Sequence, residues 1–127
     1  MTLKIYLIED DEEARDALTA LLRQALPVEI VGFGDNELGV THWLSSHDRD
    51  WDLAIVDLQL RQGSGFAALQ WCATRLPEQK VVVLSNLVSD DARARCVALG
   101  ADAVFDKASE IEALVGYCQG LGATGAT

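Results

Sequence analysis

"DLAIVDLQLRQGSGF", residues 52–66, is the stretch on which the fold turns. Four apolar residues, Leu53 to Val56, run without a break into the carboxylate of Asp57, and a glycine-rich segment follows. A short apolar run bounded by turn residues reads as a strand covered on both faces. Ending it on an ionised carboxylate is costly unless something pairs with that charge. Either Asp57 punctuates a turn, or its partner is encoded elsewhere in the chain.

On both sides of this strand, apolar runs alternate with helical patterns. "LKIYLI" (3–8) reads as a strand, and Ala14, Leu18, Leu21, Leu22 and Ala25 then recur at helical spacing until Pro27. "VEIVGF" (28–33) is a second strand, followed by a weaker helix carrying Leu38, Trp43 and Leu44. After "LAIV" (53–56), the stripe Phe66, Leu69, Cys72, Ala73 and Leu76 ends at Pro77. "VVVL" (81–84) is a fourth strand. Ala92, Cys96 and Leu99 mark a helix closed by Gly100 as its C′ residue, and "ADAVF" (101–105) is a fifth strand. Ser109 and Glu112 have the spacing of a capping box ahead of a last helix.

Five β-α units in succession predict an α/β fold with a parallel sheet and helices on both faces. "EDDEEA" stands after the first strand where a dinucleotide-binding chain would carry glycines. The expected architecture is therefore a flavodoxin-like (βα)5 sandwich with strand order 2-1-3-4-5. Residues 1–120 are expected to form one domain, and residues 121–127, "LGATGAT", a flexible tail.

Composition narrows the function. A net charge of −10 over 127 residues, with no basic cluster, disfavours direct nucleic-acid binding. The apolar runs are too short to cross a membrane, and the N-terminus has no small-residue cleavage site, so a cytoplasmic protein is expected. Cys72, Cys96 and Cys118 are an odd count without C-x-x-C spacing, which fits buried thiols rather than a disulfide framework or a zinc site.

Function in open α/β sheets gathers at the carboxyl ends of the strands. The first strand ends on Glu9 and Asp10, the third on Asp57, the fourth on Ser85, and the fifth runs out to Lys107. Adjacent strands lie about 4.8 Å apart, so this strand order gathers the five residues in one pocket. Three clustered carboxylates repel, and magnesium, which takes one or two carboxylates and leaves room for phosphate, offsets that repulsion. Asp57 then suits a carboxylate nucleophile toward a phosphoryl group, with Lys107 and Ser85 stabilising the transferring oxygens. Asp11, Glu12 and Glu13 read more simply as the cap and acidic first turn of a helix. Singly, Asp57 could be a turn residue, Ser85 a loop serine and Lys107 a solvated lysine. The shared location carries the functional reading.

With those residues in place, the chain resembles response-regulator receiver domains, the phosphoacceptors of two-component signalling, over residues 3–120. "LIEDDEE" resembles the family's metal-binding acidic pair at Glu9 and Asp10, and "DLAIVDLQLRQGSGF" its phosphorylation segment with Asp57 as acceptor. The resemblance implies a third magnesium ligand in the backbone carbonyl of Gln59, a Ser/Thr switch at Ser85 in "VVVLSN", and the family's lysine at Lys107 in "LGADAVFDK". It implies a sensor histidine kinase or phosphotransfer protein as phosphoryl donor. The output would be a downstream protein target or an effector domain outside this sequence, with residues 89–120 as the partner or homodimer face. Four positions depart from the family pattern: Gln62 in the glycine turn, Asn86 after the switch serine, Ala108 where proline usually follows the lysine, and Val104 where a rotating aromatic is usual. Phosphorylation is therefore expected to act mainly through Ser85, its loop and the next helix.

Other classes are disfavoured. A dehalogenase-type phosphatase would need an acid at position 59, which is Gln59, and a flavodoxin would need a hydroxyl-rich phosphate loop in place of the acidic segment. A receiver-like interaction module without phosphorylation remains as the third alternative.

Overall fold

The computed structural model describes residues 2–60, 64–86 and 88–125. Their order is β1 (Leu3–Ile8), α1 (Glu12–Ala25), β2 (Val28–Gly34), α2 (Glu37–Ser46), β3 (Leu53–Val56) and α3 (Gly65–Trp71). A 3-10 turn (Cys72–Thr74) follows, then β4 (Lys80–Ser85), α4 (Asp90–Ala98), β5 (Ala103–Asp106) and α5 (Ile111–Gly125). All strand pairs are parallel, in the order β2-β1-β3-β4-β5. This is the flavodoxin-like sandwich that the alternation predicts.

Strand alternation divides the core into two layers. Tyr6, Ile8, Ala54, Val56, Val81, Val83 and Val104 face one layer, with Val40, Leu69 and Cys96 from α2, α3 and α4. Leu3, Ile5, Leu7, Leu53, Ile55, Val82, Leu84 and Phe105 face the other, with Leu22 from α1 and Leu114 and Cys118 from α5. Every residue of β3 is buried, as its unbroken apolar run requires. The three cysteines are free and buried, and burial pushes the Cys72 and Cys118 thiols up to about 12.

Polar residues start the helices where the sequence places them. Asp11 caps α1 by accepting from Glu13 N at 3.0 Å, and Ser89 caps α4 by accepting from Ala92 N at 3.1 Å. Gly100, at φ 102°, closes α4: its N–H donates to Val97 O and that of Ala101 to Cys96 O, the paired bonds of a Schellman motif.

Several boundaries differ from expectation, each for a local reason. Ala101 is used in that closing turn, and the Asp102 carboxylate accepts from Val81 N and from Arg75, so β5 begins at Ala103. Leu38 is 80% exposed and Val40 is the buried residue of α2. Two residues of helix turn the side chain by about 200°, so both cannot face the sheet. The turn before α5 is held by Asp106 and Glu110 rather than by a Ser109–Glu112 box: Ala108 N donates to Asp106 Oδ1, and Asp106 N to Glu110 Oε1. The helix then runs through Gly125, beyond the domain end expected at residue 120, because Leu121 packs on the α1–α5 layer. Gln62 and Gly63 of the glycine turn and residues 126–127 lie outside the described residues.

One packing feature has no counterpart in the sequence reading. Tyr6 stacks on Trp43 at 3.9 Å between ring centroids, and Trp43 stacks on His47 at 4.4 Å. Gly32 and Gly34 make this possible: a Cβ on either would run into Tyr6, Trp43 or Val40. The stack anchors α2 to β1 and β2.

Candidate functional site

Backbone pairing carries the acidic residues to one place. Past the ends of the strands, Glu9 N donates to Gly34 O, Asp57 N to Ile8 O and Lys107 N to Ser85 O, at 2.9, 2.9 and 3.0 Å. The ends of β1, β3, β4 and β5 therefore stay in register up to the residues that matter. Asp57, Glu9 and Ser85 are buried, while Asp10 and Lys107 are partly exposed.

Asp57 has a donor on each oxygen. Oδ1 accepts from Ser85 Oγ at 2.8 Å and from Gln59 N at 3.0 Å, and Oδ2 accepts from Lys107 Nζ at 3.0 Å. Lys107 also donates to Glu9 Oε1. These contacts answer the question set by the buried strand ending: an ammonium 50 residues away and a hydroxyl 28 residues away pair with the carboxylate. Ser85 is turned onto Asp57 before any phosphoryl group is present.

The two carboxyls differ in proton affinity. Burial would raise Asp57, but hydrogen bonds with Glu9, Gln59 N, Lys107 and Ser85 outweigh it and hold the group below the usual carboxylate range. Burial and then the hydrogen bond with Asp57 push Glu9 up to about 7, against the opposing pull of Lys107. Burial would lower Lys107, and its bonds to Glu9 and Asp57 overcome this and raise it. Of the two carboxyls, Glu9 is the one that takes a proton more readily and Asp57 the one more readily ionised.

A pH dependence follows. Glu9 has a raised folded value, so its stabilising contribution is complete below 4.5 and lost as pH rises through about 7. Asp57 has a lowered folded value, and its contribution is lost only on acidification below 3.8. Under chelating conditions the melting temperature is expected to fall between pH 4.5 and 7, and Glu9→Gln should flatten that slope. An unchanged slope in the variant would remove Glu9 from this role.

Among the described residues, no group of three His, Cys, Asp or Glu side chains is arranged to hold a metal ion. The structure brings Glu9 and Asp57 together against Lys107, while Asp10, one residue beyond Glu9 and partly exposed, does not complete the carboxylate triad expected from sequence. The donors are hard oxygens, on two carboxylates that already converge on one cationic group. That chemistry fits a hard divalent cation.

The departures from the expected pattern are visible in the structure. Val104 packs in the α4-side layer, while Phe105 faces the other, edge-on to Tyr117 at 5.9 Å. No cis peptide occurs among the described residues, Lys107–Ala108 included. Asn86 is exposed, and Leu87 beside it lies outside the described residues.

Sequence reasoning missed two supports. Arg15 donates to Glu9 O at 2.9 Å while its guanidinium lies 4.1 Å over the Phe33 ring, which fixes the end of β1. Glu37 accepts from Ser64 N at 2.9 Å, tying α2 to the start of α3. Both sit in the first turn and a half of a helix, where a charged residue reads by default as solvated. An apolar cavity of about 230 Å³ adjoins Asp57 beneath α1, walled by Leu7, Leu18, Ile55, Leu84 and Ile111.

Comparison with known proteins agrees with this fold. Residues 5–119 match the family model described as the response regulator receiver domain. The chain is 27% identical over 107 residues to the response regulator protein VraR of Staphylococcus aureus, covering 84% of this chain and 50% of that protein. It thus spans about half the length of the curated relatives it matches. A signal receiver domain of a DNA-binding response regulator from Colwellia psychrerythraea superposes with a TM-score of 0.78 at 25% identity, covering 94% of this chain and 97% of that one. CheY in the CheX-CheY-BeF3-Mg complex of Borrelia burgdorferi shares the fold, with a TM-score of 0.81 at 13% identity, over 94% and 88% of the two chains. No described helix is long and apolar enough to cross a membrane.

Proposed function

The chain belongs to the response regulator receiver family of two-component systems, and from that premise we propose that Asp57 is its phosphoacceptor. The observation that carries the reading is a buried Asp57 at the end of β3 with Ser85 Oγ on one oxygen and Lys107 Nζ on the other. A sensor histidine kinase or phosphotransfer protein would supply the phosphoryl group. A downstream protein, or an effector domain outside this sequence, would read the result.

In the transfer, an Asp57 carboxylate oxygen forms a bond to phosphorus while the bond from phosphorus to the donor breaks, and the leaving group takes that electron pair. Lys107 and Ser85 need little rearrangement: each turns its hydrogen from the carboxylate to a phosphoryl oxygen, where charge develops. A magnesium ion, held by Glu9, Asp10 and Asp57 with the carbonyl of Gln59, would neutralise charge on those oxygens. With such an ion bound, Glu9 would be held in its carboxylate form. The backbone N–H of Gln59 keeps the carboxylate oriented toward the open end of the sheet.

The test is incubation with acetyl phosphate and magnesium, followed by intact mass measurement. One phosphoryl group should be gained, and chelation should prevent it. Asp10→Ala should weaken magnesium binding measured by calorimetry. Equal affinity in the variant would limit Asp10 to the start of α1.

A further inference from the structure

One residue ties α4 to the turn that carries Lys107. Arg93 Nη1 donates to the carbonyl of Val104 at 2.7 Å, and Nη2 donates to Glu110 Oε1 at 2.8 Å. The same carboxylate oxygen accepts from the backbone N–H of Asp106 at 3.1 Å. Asp106 in turn accepts at Oδ1 from Ala108 N, 2.7 Å away, and at its carbonyl from Glu110 N, 2.8 Å away. Lys107 lies between Asp106 and Ala108, so the backbone is held on both sides of it. Its own N–H is bound to Ser85 O.

An exposed Arg–Glu pair alone contributes little. This one differs because both halves end on backbone: the guanidinium on β5, the carboxylate on the last residue of β5. The planar fork of arginine suits that double duty, and lysine, a point charge, cannot span both acceptors. Glu110 is held below the usual carboxylate range, first by Arg93 and then by the Asp106 N–H.

Only four residues separate Ser85 from the start of α4 in the sequence. Arg93 then links α4 to β5 and to the turn that carries Lys107. Val104, at the family's aromatic position, offers only a short side chain restricted at χ1.

We propose that Arg93 and Glu110 are positioning residues for Lys107, and that their link couples α4 to the phosphorylation site where Val104 cannot. The coupling half of this rests on Asp57 being the phosphoacceptor. The positioning half rests on the geometry alone.

The experiment uses the full chain and the variants Arg93→Ala, Arg93→Lys, Glu110→Ala and the Arg93→Ala/Glu110→Ala double. Amide hydrogen exchange at Asp106 and Lys107 should quicken about fivefold in each single variant, including Arg93→Lys, the loss of roughly one charge-assisted bond. The rate of phosphorylation from acetyl phosphate should fall by a similar factor, about fivefold, with the melting temperature changed by no more than about 4 °C. The double variant should be no worse than the worse single, because the two side chains act as one unit. Exchange unchanged at Asp106 and Lys107 overturns the proposal. So does faster exchange with an unaltered phosphorylation rate, or a rate loss in the double that equals the product of the singles. If wild type takes no phosphoryl group at all, the reading of Asp57 fails, while exchange still decides whether Arg93 and Glu110 hold the turn.

Discussion

Asp57→Asn is expected to take up no phosphoryl group from acetyl phosphate and magnesium, under conditions where wild type gains one. The amide is nearly the same size and can still accept at one oxygen from Ser85 and Gln59 N, so the end of β3 should keep its place. What it loses is the nucleophile: an amide has no anionic oxygen to attack phosphorus. It also loses a charge that Lys107 and Glu9 are arranged around. With that neighbour neutralised, one of the causes that lift Glu9 to about 7 is removed, and its carboxyl should titrate lower, though burial still raises it. Two independent readouts follow, a mass and a pH profile of metal-free stability. Label that survives on the variant, mapped by peptide mass to Glu9 or elsewhere, would move the acceptor and end the assignment.

Gly65→Ala should damage the site from behind. Gly65 opens α3 against the backbone of Asp57 and Leu58, and a Cβ there would overlap the Asp57 carbonyl oxygen and come within 2.7 Å of Leu58 Cα. Neither neighbour is a flexible side chain, so β3 or α3 must shift. Overpacking of this kind costs about 1–3 kcal/mol, or roughly 4–12 °C of melting temperature for a domain of this size. The larger effect falls on chemistry. A displacement of about 1 Å at a reacting group costs on the order of a hundredfold in rate, so phosphorylation should slow far more than stability suggests. A control at Gly116, where an added Cβ meets nothing within 4 Å, should leave both measurements near wild type. Should Gly65→Ala melt and react like wild type, the close approach of α3 to Asp57 is not needed to hold the carboxylate.

Much of this was legible in the residues. The strands of "LKIYLI" and "LAIV" have the bounds expected, because a buried strand is written as a local apolar run and its end as the first charge. Asp11 and Gly100 declare helix ends by chemistry that acts within a few residues. Where several local signals competed, the reading slipped. Leu38 looked as apolar as Val40, and only the phase of α2 against the sheet separates them. Ser109 and Glu112 had capping spacing, but Glu110 is drawn away to Arg93 and Asp106, and the turn closes differently.

The sequence by itself determined the alternation of strands and helices, the two-sided burial of β3 and β4, and which residues stand at the strand ends. Periods of 2 and 3.6 are properties of neighbouring residues, and the parallel order follows from few allowed connections. The tertiary structure alone decided how those ends interact. Lys107 reaches Glu9 across 98 positions and Asp57 across 50, and burial together with these contacts separates the proton affinities of the two carboxyls. Arg93 reaches Glu110 and the β5 backbone because α4 docks at one particular height beside β5. Proton affinity and side-chain partnership depend on distances of a few ångströms between segments remote in the chain, and no local pattern of residues encodes those distances.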